Sequence, residues 1–359
     1  MKKYLYLLAV IAILLSNTVL AQRAPGLNSP DLKPDQKVTF YYYSRTAKQV
    51  TLNGEFLKDP VPMTKDTSGV WSVTVGPVKP DVYPYFFNVD NVQISDPNNT
   101  HLFANERFKR SILDVHGPSP LVHSLQNVPH GKIDYRYYHS VTLDTLRRVL
   151  VYTPPGFDPA GKIKYPVLYL IHGGSDTEET WTKVGRANFI ADNLIAAKKA
   201  TPMIIVMPYG NVRPNQMSDF TNDVVKDVVP FIEDNYPVIK DRKSRAIAGF
   251  SVGGGQTLNI GLTNTDTFAN IASYAPYTAT EEFKKNFSSW SPDAKQLNDK
   301  LKLFTISVGT DDFLYESVKQ NIAMFTEKGL DLKTYIVPGG HSWMNCKLFL
   351  ATTLKEIFK

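Results

Sequence analysis

Two patterns of apolar and polar positions divide the chain. Between Val38 and Val89 the apolar residues come in short runs, Val38–Tyr43, Gln49–Leu52, Val70–Val75 and Tyr83–Val89, rich in Val, Thr, Tyr and Phe. Clusters of turn formers separate them, among them Lys65-Asp66-Thr67-Ser68-Gly69 and Asp90-Asn91. Short β-branched and aromatic runs at this spacing predict antiparallel strands. No helical period appears before about residue 115, so this part predicts a small all-β sandwich.

After Gly117-Pro118-Ser119-Pro120 the pattern changes. Two strand candidates, Tyr135–Thr142 and Leu146–Tyr152, precede a series of apolar runs at Val167–Ile171, Met203–Met207, Ala246–Phe250, Ile271–Tyr274, Leu303–Val308 and Lys333–Val337. Helix candidates lie between them, near Val184–Lys198, Asp219–Asn235, Gly253–Leu262, Leu314–Lys328 and Trp343–Phe358. Continuous apolar strands alternating with crossover helices predict a parallel sheet covered on both faces. The expected fold class is α/β, with residues 130–359 as the domain built on that parallel sheet. An immunoglobulin-like sandwich over residues 22–116 and a linker over residues 117–129 precede it.

Composition adds a destination. Lys2 and Lys3 stand before the apolar run Tyr4–Leu15, and Val19-Leu20-Ala21 supplies small residues for cleavage. That is the pattern of a secretory signal peptide over residues 1–21, with cleavage after Ala21 and a secreted or periplasmic product. The run is short for a membrane span, so no stable membrane anchor is expected. Loss of Lys2 and Lys3 leaves a mild excess of basic over acidic residues, spread along the chain, which argues against a nucleic-acid partner. Cys346 is the one cysteine, so no disulfide forms within the chain. Close-spaced metal ligands are absent from the sequence, and neither metal nor organic cofactor is expected.

The candidate chemistry starts at Gly249-Phe250-Ser251-Val252-Gly253, which follows one apolar run and precedes a helix candidate. Glycines flanking a serine in that context permit a sharp turn that lifts the Ser251 hydroxyl above the sheet edge. A hydroxyl is a weak nucleophile at neutral pH, so it needs a base, and the base an orienting acid. In the α/β-hydrolase arrangement the chain order is serine, acid, histidine. Of seven histidines only His341 follows Ser251, at a strand end in the glycine-rich loop Val337-Pro338-Gly339-Gly340. The acid should follow the strand at Leu303–Val308, which leaves Asp311 and Asp312, with Glu316 as an outsider. An oxyanion needs fixed donors. The Val252 amide, next to the serine, supplies one, and Gly173 or Gly174 in the loop His172-Gly173-Gly174-Ser175 the other. His172 is expected to hold that loop.

Four separated motifs carry a resemblance: LIHGGS at 170–175, AIAGFSVGGGQT at 246–257, VGTDDFLYE at 308–316 and PGGHSW at 338–343. Together they resemble the carbohydrate esterase family of feruloyl and acetylxylan esterases, related to enterochelin esterases and S-formylglutathione hydrolases. The resemblance runs from about His130 to the C-terminus and implies Asp312 as the acid. Val252 stands where that family usually has Met, and Ser175 where relatives often have another glycine. The front part, with GVWSVTVGP at 69–77, Tyr83-Pro84-Tyr85 and Asp96-Pro97, is similar to the sandwich module before glycogen-branching enzymes and isoamylases.

The resemblance implies a secreted serine esterase acting on feruloyl or acetyl groups of plant cell-wall xylan, with polysaccharide or acylated xylo-oligosaccharide as partner. Aromatic residues near strand ends are candidates for the acyl pocket: Trp181, Tyr209, Tyr277 and Trp343, the middle two foremost. Two other functions compete with that one: an esterase or acyltransferase on a siderophore-type ester, and a carbohydrate-binding protein without catalysis.

Overall fold

In the computed structural model, which describes residues 26–213 and 217–359, the N-terminal runs pair as antiparallel strands in two sheets. The leader expected over residues 1–21 lies outside the described residues. One sheet runs Asp31–Leu32, Val38–Tyr43, Val70–Val75, Thr64–Lys65. The other centres on Asp81–Val89, flanked by Val50–Gly54 and Lys109–Val115. Val38 and Phe40 from the first and Leu52, Tyr85 and Phe87 from the second are buried against one another, as two facing sheets require. Asp90 and Asn91 take φ of 47° and 70° to close the hairpin between Val89 and Val92, a turn that asparagine and aspartate tolerate.

The strand Lys109–Val115 does not stand out in the sequence pattern, and its burial explains why. Leu113 and Val115 face the sandwich core, whereas Ile112 belongs to the core of the second unit. Burial on both faces erases the period of two that marks a half-buried strand.

Eight further strands form one sheet. In chain order they are β1 (Lys132–Ser140), β2 (Thr145–Thr153), β3 (Val167–Ile171), β4 (Ile204–Pro208), β5 (Arg245–Phe250), β6 (Asn270–Tyr274), β7 (Leu303–Gly309) and β8 (Lys333–Val337). Their spatial order is 1-2-4-3-5-6-7-8. The β1–β2 and β2–β4 pairs are antiparallel, and every pair from β4 to β8 is parallel. All residues of β3, β4, β6 and β7 are buried, the two-sided cover that their continuous apolar runs predict. The helix expected near 219–235 is broken. Met217–Asn222 and Val229–Asn235 flank a π-helical stretch, Asp223–Val228, whose buried Asp223 accepts a 2.8 Å hydrogen bond from the Tyr138 hydroxyl of β1.

The two units share a seam. Val82, Phe103 and Ile112 of the sandwich pack into the apolar core of the second unit, and Phe103 meets Trp343 edge-on at 6.1 Å. Lys347, on the C-terminal helix Trp343–Glu356, is 1% exposed. Its Nζ lies 2.6 Å from Asp81 Oδ1 and donates to the Val82 carbonyl at 3.0 Å. His123 Nε2 stands 3.1 Å from the same Asp81 oxygen. A buried ammonium is tolerated only with such a counter-charge.

Candidate active site

Strands β3 and β5 are neighbours, so the chain leaves the sheet side by side after Ile171 and Phe250. At Ser251 it turns with φ 58° and ψ −117°, a backbone state that costs a non-glycine residue about 1–3 kcal/mol. Main-chain bonds hold the strain: Ser251 N–H donates to Tyr274 O at 2.9 Å, and Ser251 O accepts from Gly255 N–H at 3.0 Å and Tyr277 N–H at 2.8 Å. The turn is tight enough that a Cβ on Gly253 would stand 2.3 Å from His172 O. Val252 is the first residue of the helix Val252–Thr263, whose leading amides have no intrahelical partner and carry the positive end of the helix dipole.

Strands β7 and β8 bring the other two residues together. His341 Nδ1 lies 2.8 Å from Asp312 Oδ2. A carboxylate acceptor puts the proton on Nδ1 and leaves the Nε2 lone pair free to act as a base. Among the described residues this is the one hydrogen bond of the ring, which stacks on Phe250 at 4.4 Å and lies 4.6 Å from Phe313. Phe250 precedes Ser251, so that contact sets the imidazole beside the serine turn. Adjacent Asp311 serves the histidine loop instead, where its Oδ2 accepts the Gly339 amide at 3.2 Å and ties the loop down. Asp312 Oδ1 accepts the Leu314 amide at 2.8 Å, which fixes the carboxylate, and the residue is 5% exposed.

The loop after β3 is held from within. His172 Nδ1 donates to Gly173 O at 2.8 Å, and Nε2 accepts from Gly210 N–H at 2.8 Å. Burial pushes its pKa down to about 4, so it is neutral and bonded at both nitrogens, a structural residue as expected. Gly174 lies against Val252: a Cβ there would come 2.9 Å from Val252 Cγ2. Asp176, two residues on, is 6% exposed. Burial pushes its carboxyl up to about 7, opposed by the Asn105 side chain and the Gly173 amide. Nothing in its sequence context marks Asp176, because its partner Asn105 belongs to the other unit.

A cleft of about 940 Å³ opens at this edge, with Gly174 and Val252 on its wall. Tyr277, 37% exposed, lines it. Glu106 and Arg107 reach it from the sandwich, a contribution that no motif announces. Tyr209 lines a neighbouring hollow with Arg147 instead, its hydroxyl donating to Glu106. Trp181 and Trp343 are corrections. Trp181 is fully buried, its indole N–H donating to Ile171 O at 3.0 Å, and Trp343 is 4% exposed. They pack edge to face at 5.0 Å behind the site, where the seam needs large apolar area, and neither can touch a substrate. Among the described residues no group of three or more His, Cys, Asp or Glu is placed to hold a metal ion.

Order along the sheet defines the class: a strained serine turn after β5, a carboxylate after β7 and its histidine after β8 follow the α/β-hydrolase plan. The chain belongs to the esterase family, whose model matches residues 140–354. The model of carbohydrate-binding module 48, the isoamylase N-terminal domain, matches residues 26–102. An endo-1,4-beta-xylanase/feruloyl esterase of Xylanibacter ruminicola is 29% identical over 257 residues, which are 68% of this chain and 35% of that protein. The chain thus spans about a third of that relative's length. A solved ferulic acid esterase is 25% identical, with a TM-score of 0.57 over 64% of this chain and 97% of its own. The enterobactin esterase FES from Shigella flexneri, 17% identical, has a TM-score of 0.67 over 89% of this chain and 92% of its own, a likeness of fold across both units.

Proposed function

We propose that this chain is an exported serine esterase that releases feruloyl or acetyl groups from plant cell-wall xylan through an acyl-enzyme on Ser251. The observation that carries it is the His341–Asp312 hydrogen bond of 2.8 Å, with the His341 ring stacked on Phe250, the residue before the strained serine. His341 Nε2 takes the Ser251 proton as the hydroxyl oxygen bonds to the ester carbonyl carbon. The carbonyl oxygen becomes an oxyanion, faced by the amides of Val252 and of Gly174 or Gly173. Its collapse breaks the bond to the alcohol oxygen, which leaves with the proton from His341. Water then attacks the acyl carbon, losing its proton to His341; the second tetrahedral intermediate breaks the bond to Ser251 Oγ, which takes that proton back from His341 as the acid departs. Asp312 holds the imidazole tautomer and stabilises its positive charge throughout.

The likeness to the xylanase/feruloyl esterase and to the ferulic acid esterase supports an aromatic acyl group. Tyr277 offers a flat ring in the cleft to receive it. Charge disfavours the siderophore alternative. Glu106, Glu281 and Glu282 offset Arg107 and Lys285 around the cleft, so the lining holds no cationic surplus to receive a polyanionic catecholate. The test is ferulate release from methyl ferulate and acetate release from acetylated xylan, each with Ser251→Ala beside it. Serine-dependent release of ferulate supports the aromatic pocket, and acetate alone supports the esterase with a smaller acyl group. Activity retained by a clean Ser251→Ala preparation sinks the assignment.

A further inference from the structure

One segment of the sandwich reaches the loop after β3. Asn105 and Asp176 form an isolated antiparallel bridge, and Glu106 N–H donates to Ser175 O at 2.7 Å. Ser175 is held there at φ 63°, a left-handed value that a serine keeps only when its neighbours impose it. Asn105, 3% exposed, donates from Nδ2 to Asp176 Oδ1 at 2.8 Å. Its own Oδ1 accepts the amides of Arg107 and Phe108 at 2.9 and 3.4 Å, which fixes the side-chain amide so that Nδ2 faces Asp176.

Asp176 passes this restraint to the glycines. Its Oδ2 lies against Gly173, where a Cβ would come within 3.1 Å of it, and its N–H closes the turn on Gly173 O at 3.2 Å. Its carbonyl accepts from Asn211 Nδ2 at 2.7 Å. A buried carboxyl is costly unless donors meet it, and Asn105 is the side-chain donor that does. Docking of the two units has other supports, the Asp81–Lys347 pair and the 2.8 Å Arg186–Asp114 pair among them. The Asn105–Asp176 bond is therefore free to serve the loop itself.

We propose that Asn105, from the sandwich, is a positioning residue for catalysis: through Asp176 it sets the Gly173-Gly174 amides at the distance the oxyanion requires. The inference rests on the assignment of residues 172–175 as the oxyanion loop. It makes the sandwich part of the machinery that acts on small esters, apart from any contact it makes with a polysaccharide.

The test is an exchange of the two side chains in the full chain, assayed on p-nitrophenyl acetate. At about pH 8 or above, where the Asp176 carboxyl pushed up to about 7 is ionised, Asn105→Asp sets carboxylate against carboxylate, and Asp176→Asn keeps one acceptor oxygen for two donors, Asn105 Nδ2 and the Gly173 amide. In the double variant the carboxylate at position 105 still accepts the Arg107 and Phe108 amides. The carboxamide at position 176 then donates to that carboxylate and turns its oxygen toward Gly173. Each single variant is expected to lower kcat about tenfold or more with KM within about twofold, because a misplaced oxyanion donor acts only in the transition state. The double variant is expected to recover to within about threefold of the wild type, a coupling that a double-mutant cycle reads directly. Single variants with wild-type kcat, or a double variant no faster than the slower single, overturn the proposal. If either single variant fails to fold, Asn105→Ala replaces it, with the same expected loss, and wild-type kcat there is equally fatal. Ser251→Ala run in parallel separates the two failures. Activity without the serine removes the esterase assignment, whereas an inactive Ser251→Ala beside fast single variants removes only the role of Asn105.

Discussion

Asp81→Ala isolates the energetics of the seam. The substitution removes the carboxylate 2.6 Å from Lys347 Nζ and leaves that ammonium with the Val82 carbonyl as its hydrogen-bond acceptor. Burial already pushes the Lys347 ammonium below the ordinary lysine value, and Asp81 is the chief group that opposes this. Removing one partner of a buried pair costs about 3–5 kcal/mol, while replacing both by apolar groups is often close to neutral. The Asp81 side chain is 17% exposed, so water can partly replace it and the lower end of that range is expected. At roughly 2–4 °C per kcal/mol for a domain of the esterase unit's size, the melting temperature falls by roughly 6–12 °C. The assay is a cycle of Asp81→Ala, Lys347→Met and their combination, followed by circular dichroism on heating. Lys347→Met should cost less, since His123 stays 3.1 Å from Asp81, and the double variant should lie within about 1 kcal/mol of wild type. A harmless Asp81→Ala, or a double variant whose loss equals the sum of the singles, refutes the reasoning.

The site itself supports four more expectations. Ser251→Ala should lower kcat on the order of 10⁴-fold or more with an unchanged melting temperature; a smaller loss points to another nucleophile. His172, with its pKa pushed down to about 4 in the fold against 6.5 unfolded, takes up a proton only in the unfolded chain as pH drops between those values. Stability is therefore lost across that window by roughly 3 kcal/mol, and His172→Gln should flatten the limb in urea titrations at stepped pH. Asp176 has the opposite sign. Pushed up to about 7 by burial, with Glu55 adding to the shift and Asn105, the Gly173 amide and Arg110 opposing it, its carboxyl holds a proton that the unfolded chain releases near 3.8. Its contribution is full below about pH 4 and lost as pH rises to about 7, so Asp176→Asn should gain on wild type by up to roughly 4 kcal/mol across that span; a pH-independent difference contradicts this. Tyr277→Ala should raise KM for methyl ferulate about 5- to 30-fold, the worth of one aromatic contact, and leave p-nitrophenyl acetate unaffected. Equal losses on both esters remove Tyr277 from the acyl pocket.

Much of this architecture is written in local sequence, and the exceptions share a cause. Strands β3 and β7 announce themselves because burial on both faces demands unbroken apolar runs such as Val167–Ile171. The elbow is legible for a similar reason, since the packing of Gly253 on His172 O admits no side chain. Asp311 and Asp312 are chemically identical in sequence, and only the fold divides their labour between Gly339 and His341. Trp181 and Trp343 mislead because aromatic character near a strand end says nothing about which side of the loop the ring faces. Asn105 and Asp176 lie 71 residues apart, and Lys347 and Val82 lie 265 apart. Pairings of that range depend on how two units dock, and no periodicity within either unit encodes docking.

The seam also bears on how such a chain can be recombined. Lys347 and Trp343 lie on the same helix, just past the His341 loop, and both face partners from the sandwich. A transplant of residues 130–359 alone would carry a buried ammonium without its counter-charge and a bared indole flank next to the His341 loop. Crossovers within residues 117–129, the obvious cut between modules, divide what the fold treats as one heritable piece. Fusions that leave residues 26–359 intact disturb none of these contacts, so the two units should be shuffled among larger enzymes as a pair.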